Sequence, residues 1–235
     1  IKALDIDQPN AWIIRKHRGC FYVTGLPNSP DVLKKSDFES TDFTSGTART
    51  YNIDLNASDP VGNTALFPEF QGRLYIAKEQ SLYELQTDVS SNPLRPISLN
   101  IGCLSHNAVQ EISGDVIFPS TRGLHSLRAT ANYGDLEDKF ISRPVLDLWA
   151  NSVDLSRGTE MSSTYIPEYD SYMWLYPERG YANKFNLLGY NINSGAFYLW
   201  EDYPATWISN HISPVDKAIR MFNGDSEGRI FYGSK

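Results

Sequence analysis

The sequence predicts an all-β fold made of about five antiparallel sheets in series. Three observations carry that reading. Apolar clusters are short, rich in Val, Ile, Tyr and Phe, and closed within several residues by Gly, Pro, Asn or Asp, as strands and their turns are. Aromatic residues make up 13% of the chain, a content suited to pleated, half-buried surfaces. The same kind of cluster also returns at a loose but recurring spacing.

The five clusters are Cys20-Phe21-Tyr22-Val23, Arg73-Leu74-Tyr75-Ile76-Ala77, Asp115-Val116-Ile117-Phe118, Tyr172-Met173-Trp174-Leu175-Tyr176 and Ala218-Ile219-Arg220-Met221-Phe222. Centred on Tyr22, Tyr75, Ile117, Trp174 and Arg220, they stand 53, 42, 57 and 46 residues apart. A four-stranded propeller blade takes roughly 40–50 residues, so the spacing predicts a β-propeller-like array, a whole or partial propeller of four-stranded sheets. In the fourth cluster Tyr172, Trp174 and Tyr176 share one face of a strand and Met173 and Leu175 the other. Both faces are apolar, which predicts burial of Trp174 between neighbouring sheets.

A second strand answers the first in two units. GRLYIAKEQSLYEL (Gly72 to Leu85) and GDVIFPSTRGLHSL (Gly114 to Leu127) align without a gap. A repeated hairpin marks an array in which each sheet packs on the next, because one hairpin cannot bury its apolar face alone. Ser142-Arg143-Pro144-Val145-Leu146-Asp147-Leu148-Trp149 departs from this pattern. A capping Ser142, an early Pro144 and apolar Val145, Leu148 and Trp149 predict a short helix of about two turns inserted between repeats. No linker, low-complexity stretch or charge block divides the chain, so residues 1–235 read as a single propeller domain, complete or a segment of a longer chain.

Composition narrows function. With 21 Lys+Arg against 28 Asp+Glu, the formal charge is −7, which argues against a binder that grips nucleic acid electrostatically. No uncharged apolar run approaches roughly 18 residues, and Ile1-Lys2-Ala3-Leu4-Asp5 lacks the layout of a signal peptide. Neither membrane spanning nor self-encoded secretion is expected, although a start at Ile1 fits a processed or internal segment. Cys20 and Cys103 are too few for a disulfide framework or a four-ligand zinc site and read as buried free thiols.

Residues that could carry chemistry each have a plain structural alternative. His17, His106, His125 and His211 are scattered, with no HExxH and no i,i+4 pair, and read as structural histidines. Asp135, Glu137 and Asp138 sit in a turn-like loop and read as solvated charge rather than the acid and nucleophile of a glycosidase. Asn223-Gly224-Asp225-Ser226-Glu227-Gly228 is oxygen-rich but lacks the spacing of a calcium loop, and reads as a long hairpin turn. Asn56-Ala57-Ser58 is a formal glycosylation triplet without further support. The cationic Arg15-Lys16-His17-Arg18 reads as a charged turn before the first strand, with a phosphate contact as the functional alternative. No nucleotide-binding or nucleophile-elbow motif occurs. No catalytic, cofactor-binding or metal-ligating residue is therefore expected, and no cofactor.

Against this background the succession FYVTGLPNSPDVLKKSDFESTDF (Phe21 to Phe43), GRLYIAKEQSLYEL (Gly72 to Leu85) and LRPISLNIGCLSHNAVQEISGDVIFPSTRGLHSLRATANYGD (Leu94 to Asp135) resembles the β-propeller structural proteins of tailed-bacteriophage tails, of the nozzle, tail-tube or packaged-DNA-stabilisation type. Matching features are Ser36-Asp37 followed by Asp42-Phe43, the hairpin Lys78-Glu79-Gln80-Ser81-Leu82-Tyr83-Glu84-Leu85, the turn Ile101-Gly102-Cys103 and the strand Gly123-Leu124-His125-Ser126-Leu127. LLGYNINSGAFYLWEDY (Leu187 to Tyr203) is similar to a further repeat. Phe118-Pro119 departs from the uninterrupted strand of that pattern and predicts an irregular edge.

The resemblance implies a virion component: a non-enzymatic tail subunit, in a ring of copies bound to other tail proteins, around a conduit through which double-stranded DNA passes without sequence-specific binding. A channel surface of neutral or negative charge, with basic residues facing neighbours, would let the duplex slide. The competing expectations are a carbohydrate-active propeller, depolymerase or glycosidase, needing two carboxylates in one pocket, and a glycan- or receptor-binding propeller using exposed aromatics such as Trp12, Trp200 and Trp207.

Overall fold

The computed structural model describes residues 10–44, 48–53, 59, 61–86, 94–133, 140–213 and 219–232. Of these, 46% lie in strands and bridges and 14% in helices, so the chain is all-β. The strands form five antiparallel sheets that follow one another along the sequence, and in each sheet neighbours in sequence are neighbours in space. This meander is the organisation of propeller blades, and the array is a partial, propeller-like one. Chain contacts group the residues into two compact units, Ile1–Cys103 with Thr130–Asp135 and Leu104–Ala129 with Leu136–Lys235.

The first unit holds two four-stranded sheets: β1 (Ile13–His17), β2 (Cys20–Thr24), β3 (Val32–Lys35) and β4 (Arg49–Asn52), then β5 (Ala65–Leu66), β6 (Leu74–Ala77), β7 (Leu82–Leu85) and β8 (Leu94–Ser98). Their facing side chains, among them Tyr22, Leu33, Leu66, Leu74, Ile76 and Tyr83, form one buried cluster. Each such side chain contributes about 1.5–3 kcal/mol through removal from water. Both cysteines are buried and free.

The second unit holds three sheets. Three-stranded β9 (Gln110–Ile112), β10 (Asp115–Ser120) and β11 (Gly123–Ser126) precede four-stranded β12 (Ser162–Ile166), β13 (Ser171–Pro177), β14 (Phe185–Asn191) and β15 (Phe197–Trp200). The third is β16 (Trp207–Ile212), β17 (Ile219–Gly224) and β18 (Ile230–Tyr232). Two of the five sheets thus carry three strands among the described residues rather than four. Every residue of β13 is buried. Tyr172, Trp174 and Tyr176 join one core cluster and Met173 and Leu175 another, as the apolar character of both faces requires.

The gapless hairpin alignment holds at the level of register. Tyr75↔Glu84, Ile76↔Tyr83 and Ala77↔Leu82 pair across β6 and β7, and their aligned counterparts Ile117↔Ser126, Phe118↔His125 and Pro119↔Leu124 pair across β10 and β11. Even the hairpin base is equivalent: the Arg73–Glu84 ion pair stands where Ser126 donates to the Asp115 carboxylate. The same turn leads into three successive units. Arg18-Gly19, Gln71-Gly72 and Ser113-Gly114 all have positive φ at both residues. They connect the pairs His17↔Cys20, Phe70↔Arg73 and Ile112↔Asp115. Two central residues at positive φ make a type I′ turn, whose twist matches the strands it joins.

The Lys78-to-Ser81 turn and the Ile101-Gly102-Cys103 segment fit together. Lys78 N–H donates to the Ser81 carbonyl at 2.9 Å, and Cys103 N–H donates to the Lys78 carbonyl at 2.8 Å. Asp59 clasps the same turn, accepting from Gln80 N–H at 3.0 Å and Ser81 Oγ at 2.7 Å. A Cβ on Gly102 would lie 2.2 Å from the Lys78 carbonyl oxygen, so only glycine permits this approach.

Pro119 sits in central strand β10 because β9 ends opposite Ile117, so no ladder partner is denied an N–H there. The irregular edge expected at Phe118-Pro119 is not found: β10 is central and runs unbroken from Asp115 to Ser120, in regular register with β11. The inserted helix is present but begins differently. Residues Arg143–Val145 form a 3-10 turn leading into α2 (Leu146–Asn151), an order in which α2 is the second helix after α1 (Leu127–Tyr133). Ser142 does not cap it; its Oγ instead accepts from Leu124 N–H at 2.8 Å. Helix α1 follows β11 directly, and Ser126 Oγ accepts from Ala129 N–H at 3.1 Å, an N-terminal cap on an alanine-containing turn.

Candidate functional site

The residues that sequence reading weighed for chemistry are spread and mostly structural. His17 is buried and its Nδ1 lies 2.8 Å from Glu69 Oε2. His125 is sealed between Phe118 and Phe140, with ring centroids 5.6 and 4.3 Å away. Its Nε2 lies 2.7 Å from Ser120 Oγ, and both residues are buried. His106 opens a 3-10 turn, and His211 lies on β16 beside Phe222 at 6.0 Å. Among the described residues no three His, Cys, Asp or Glu side chains group as metal ligands. No described helix is long and apolar enough to cross a membrane.

The cationic cluster is corrected by the structure. Arg15, Lys16 and His17 are strand β1 itself, and only Arg18 is in a turn. Because alternate residues of a strand face opposite ways, the charges do not gather into one patch. Arg15 reaches the Leu66 carbonyl at 3.3 Å and Arg18 the Gly72 carbonyl at 2.8 Å, and Lys16 Nζ lies 6.0 Å from the centre of the Phe21 ring. Of the Asn223–Gly228 segment, Asn223 and Gly224 are the end of strand β17, and the hairpin turn begins at Asp225. Asp225 accepts from Glu227 and Arg229 N–H, each at 2.9 Å, and Arg229 Nε lies 2.6 Å from its Oδ2. These bonds hold the Asp225 carboxyl below its ordinary range. Asp135, Glu137 and Asp138, and Asn56-Ala57-Ser58, lie outside the described residues.

The five tryptophans divide. Trp149 and Trp174 are buried, whereas Trp12, Trp200 and Trp207 are 73%, 44% and 47% exposed. Two of the exposed ones line cavities in the second unit. The first is a groove of about 750 Å³ flanked by Met173, Leu187, Tyr198 and Trp200 on one side and Ile219 and Met221 on the other. Tyr198 and Trp200 lie on edge strand β15 with ring centroids 6.1 Å apart. Its lining includes a single carboxylate, Glu168.

The second cavity, about 370 Å³, lies at one end of β12 and β16. Trp207 forms part of its wall, and Asn107, Thr159, Asn183, Thr206 and Ser226 supply neutral polar groups. At its side Arg157 grips Glu160 with two bonds, Nε to Oε1 at 2.8 Å and Nη2 to Oε2 at 2.5 Å. A third Arg157 bond runs to the Tyr181 carbonyl at 2.8 Å, and the guanidinium lies 5.3 Å from the centre of the Phe185 ring. The bond from Arg157 lowers the Glu160 carboxyl below its ordinary range, and Glu160 raises Arg157 in return. A carboxyl held ionised in this way does not serve as a general acid.

No protein-family model and no curated protein matches this sequence. Among solved structures the chain is similar to one described as the extracellular domain of a hybrid two-component system from B. thetaiotaomicron, with a TM-score of 0.35 and 8% identity. The match covers 96% of this chain and 32% of that one, so the chain spans about a third of its length.

The sequence singles out Trp200 and Trp207, and separately Met173, Ile219-Arg220-Met221 and Ser226, but nothing in it places them together. The one local signal was Arg157-Gly158-Thr159-Glu160, an i,i+3 pair of opposite charges on a turn. Asn107, Asn183 and Ser226 come from distant loops, and no spacing in the chain links them to Trp207.

Proposed function

We propose that this chain is a structural subunit of a bacteriophage tail, a nozzle or tail-tube component of the virion. It acts without catalysis or cofactor, helps form the DNA-ejection conduit and anchors neighbouring tail proteins, with copies of itself arranged in a ring. The observation that carries this reading is the apolar edge strand β15 of the β12–β15 sheet, where Tyr198 and Trp200 share one face and are 41% and 44% exposed, with Leu199 on the opposite face at 42%. Exposed apolar side chains gathered on one strand mark a protein contact rather than a free surface. The series of meander sheets with a shared hairpin register, in the order of motifs that tail propellers resemble, supports the same assignment. A net charge of −7 suits a surface past which a duplex slides, because few phosphates find a cationic partner.

The test is the composition of purified virions. Quantitative mass spectrometry is expected to find peptides of this chain in fixed ratio to other tail proteins, retained after the capsid and tail are separated. Absence of the chain from infectious particles that carry complete tails overturns the proposal.

A further inference from the structure

The cavity at Trp207 is unlike the apolar groove beside Trp200, and its chemistry selects a different occupant. Its one strongly charged feature is internally neutralised, because Arg157 and Glu160 meet through two parallel N–H···O contacts. A phosphate or nucleic acid gains from unpaired cationic charge, which this wall does not offer. A metal ion needs several oxygen or nitrogen ligands, and the single carboxylate here is occupied by a guanidinium. Met161, Ala182 and Phe185 join Trp207 in the wall, but Asn107, Asn183 and Ser226 place exposed amides and a hydroxyl around the same space, and a purely apolar occupant such as a lipid tail would leave these without partners.

What remains complementary is a neutral, polyhydroxylated ligand. Amides and hydroxyls both donate and accept, matching the dual character of sugar hydroxyls. The Arg157–Glu160 pair adds donors and acceptors in fixed positions: the guanidinium has five N–H groups, of which three are engaged by Glu160 and the Tyr181 carbonyl, and the carboxylate keeps further lone pairs. An indole that is 47% exposed supplies a flat apolar face, which a sugar ring covers with its C–H face while its hydroxyls reach the polar rim. A volume of about 370 Å³ holds one or two sugar rings rather than a folded partner.

We propose that this cavity is a neutral saccharide subsite, with Trp207 as the stacking platform and Arg157, Glu160, Asn107, Asn183 and Ser226 as hydroxyl partners. This adds a recognition role to the chain and does not depend on its place in a tail.

The test is titration of the full chain with maltotriose, cellotriose and N,N′,N″-triacetylchitotriose, with inorganic phosphate as the anionic comparison, followed by tryptophan fluorescence and calorimetry. At least one trisaccharide is expected to bind with a dissociation constant in the millimolar range or below and to shift the emission. Trp207→Ala is expected to weaken that binding about tenfold or more, and Trp207→Phe less. Trp200→Ala, in the other groove, is expected to leave it unchanged. Thermal unfolding of each variant separates lost binding from lost folding, and Asn183→Ala, a change at an exposed loop residue, gives a second reading of the same site. No response to any trisaccharide up to about 10 mM, equal loss with Trp200→Ala, or binding of phosphate in preference to the sugars overturns the proposal.

Discussion

The indole rings of Trp149 on α2 and Trp174 on β13 stack with centroids 4.8 Å apart and planes 20° from parallel. Both are buried, and Trp149 Nε1–H donates to the Ser120 carbonyl at 2.9 Å. The pair ties the inserted helix to the central strand of the next sheet. Trp174→Ala is expected to cost about 3–5 kcal/mol, through lost burial and the cavity left behind. Trp149→Ala should cost a similar amount. The double variant should lose less than the sum, by about 0.5–1.5 kcal/mol for the ring contact itself. Urea unfolding of the four proteins measures this; a loss under about 1 kcal/mol for Trp174→Ala would mean the ring is not in a core.

In the first unit the Lys78 side chain is fully buried, and its Nζ lies 2.9 Å from Asp31 Oδ1. Removing one partner of such a pair strands a charge, whereas replacing the charged residue by an apolar one of similar volume does not. Asp31→Ala is therefore expected to destabilise by about 3–5 kcal/mol, and Lys78→Met by distinctly less. Equal losses from both variants, in denaturant melts, would contradict the role given to this pair.

Gly102→Ala tests the docking of the Ile101-Gly102-Cys103 segment on the Lys78 turn. The new Cβ would meet the backbone at 2.2 to 2.6 Å, at the Lys78 oxygen, Glu79 carbon and Gln80 nitrogen. Backbone cannot swing aside as a side-chain tip can, so a loss of about 1–3 kcal/mol or more is expected. Gly224→Ala, where the nearest atom lies at 3.7 Å, serves as the comparison and should change stability little. Circular-dichroism melts of the two variants distinguish these outcomes.

Alkaline stability follows from the phenols. Burial raises Tyr75 to about 12 and pushes Tyr22 and Tyr176 up as well. A folded-state pKa above the unfolded value of about 10 means the native state holds its proton longer, so the stabilisation is full below pH about 10. It is lost as pH rises from about 10 through 12. Phenolate absorbance is expected to lag behind free tyrosine over that window and then to rise together with unfolding. Complete ionisation of all tyrosines near pH 10 without loss of structure would contradict the burial of these three.

Much of the fold was legible because it depends on a repeat. Tyr22, Tyr75 and Ile117 occupy one position of the unit, each three residues after the glycine of the same turn, and the gapless hairpin alignment fixed a shared strand register. The type of that turn was not legible, since Arg18, Gln71 and Ser113 stand where Asn or Asp is the usual signal. Helix α1 escaped notice because its cap, Ser126, also ends a strand. The Arg15–Arg18 run read as a turn because charge was weighed over alternation. The Trp207 cavity was illegible for a different reason: its polar lining comes from separate loops, and only folding brings them together.

Native mass spectrometry of the full chain, at low micromolar concentration and near-neutral pH, tests the central claim most directly. As a subunit of a tail ring, the chain is expected to give a closed oligomer of a single copy number, which Tyr198→Asp with Trp200→Asp on β15 breaks into monomers that remain folded. A wild-type chain that stays monomeric under those conditions, and that also fails to join isolated tails in the same measurement, would contradict the account.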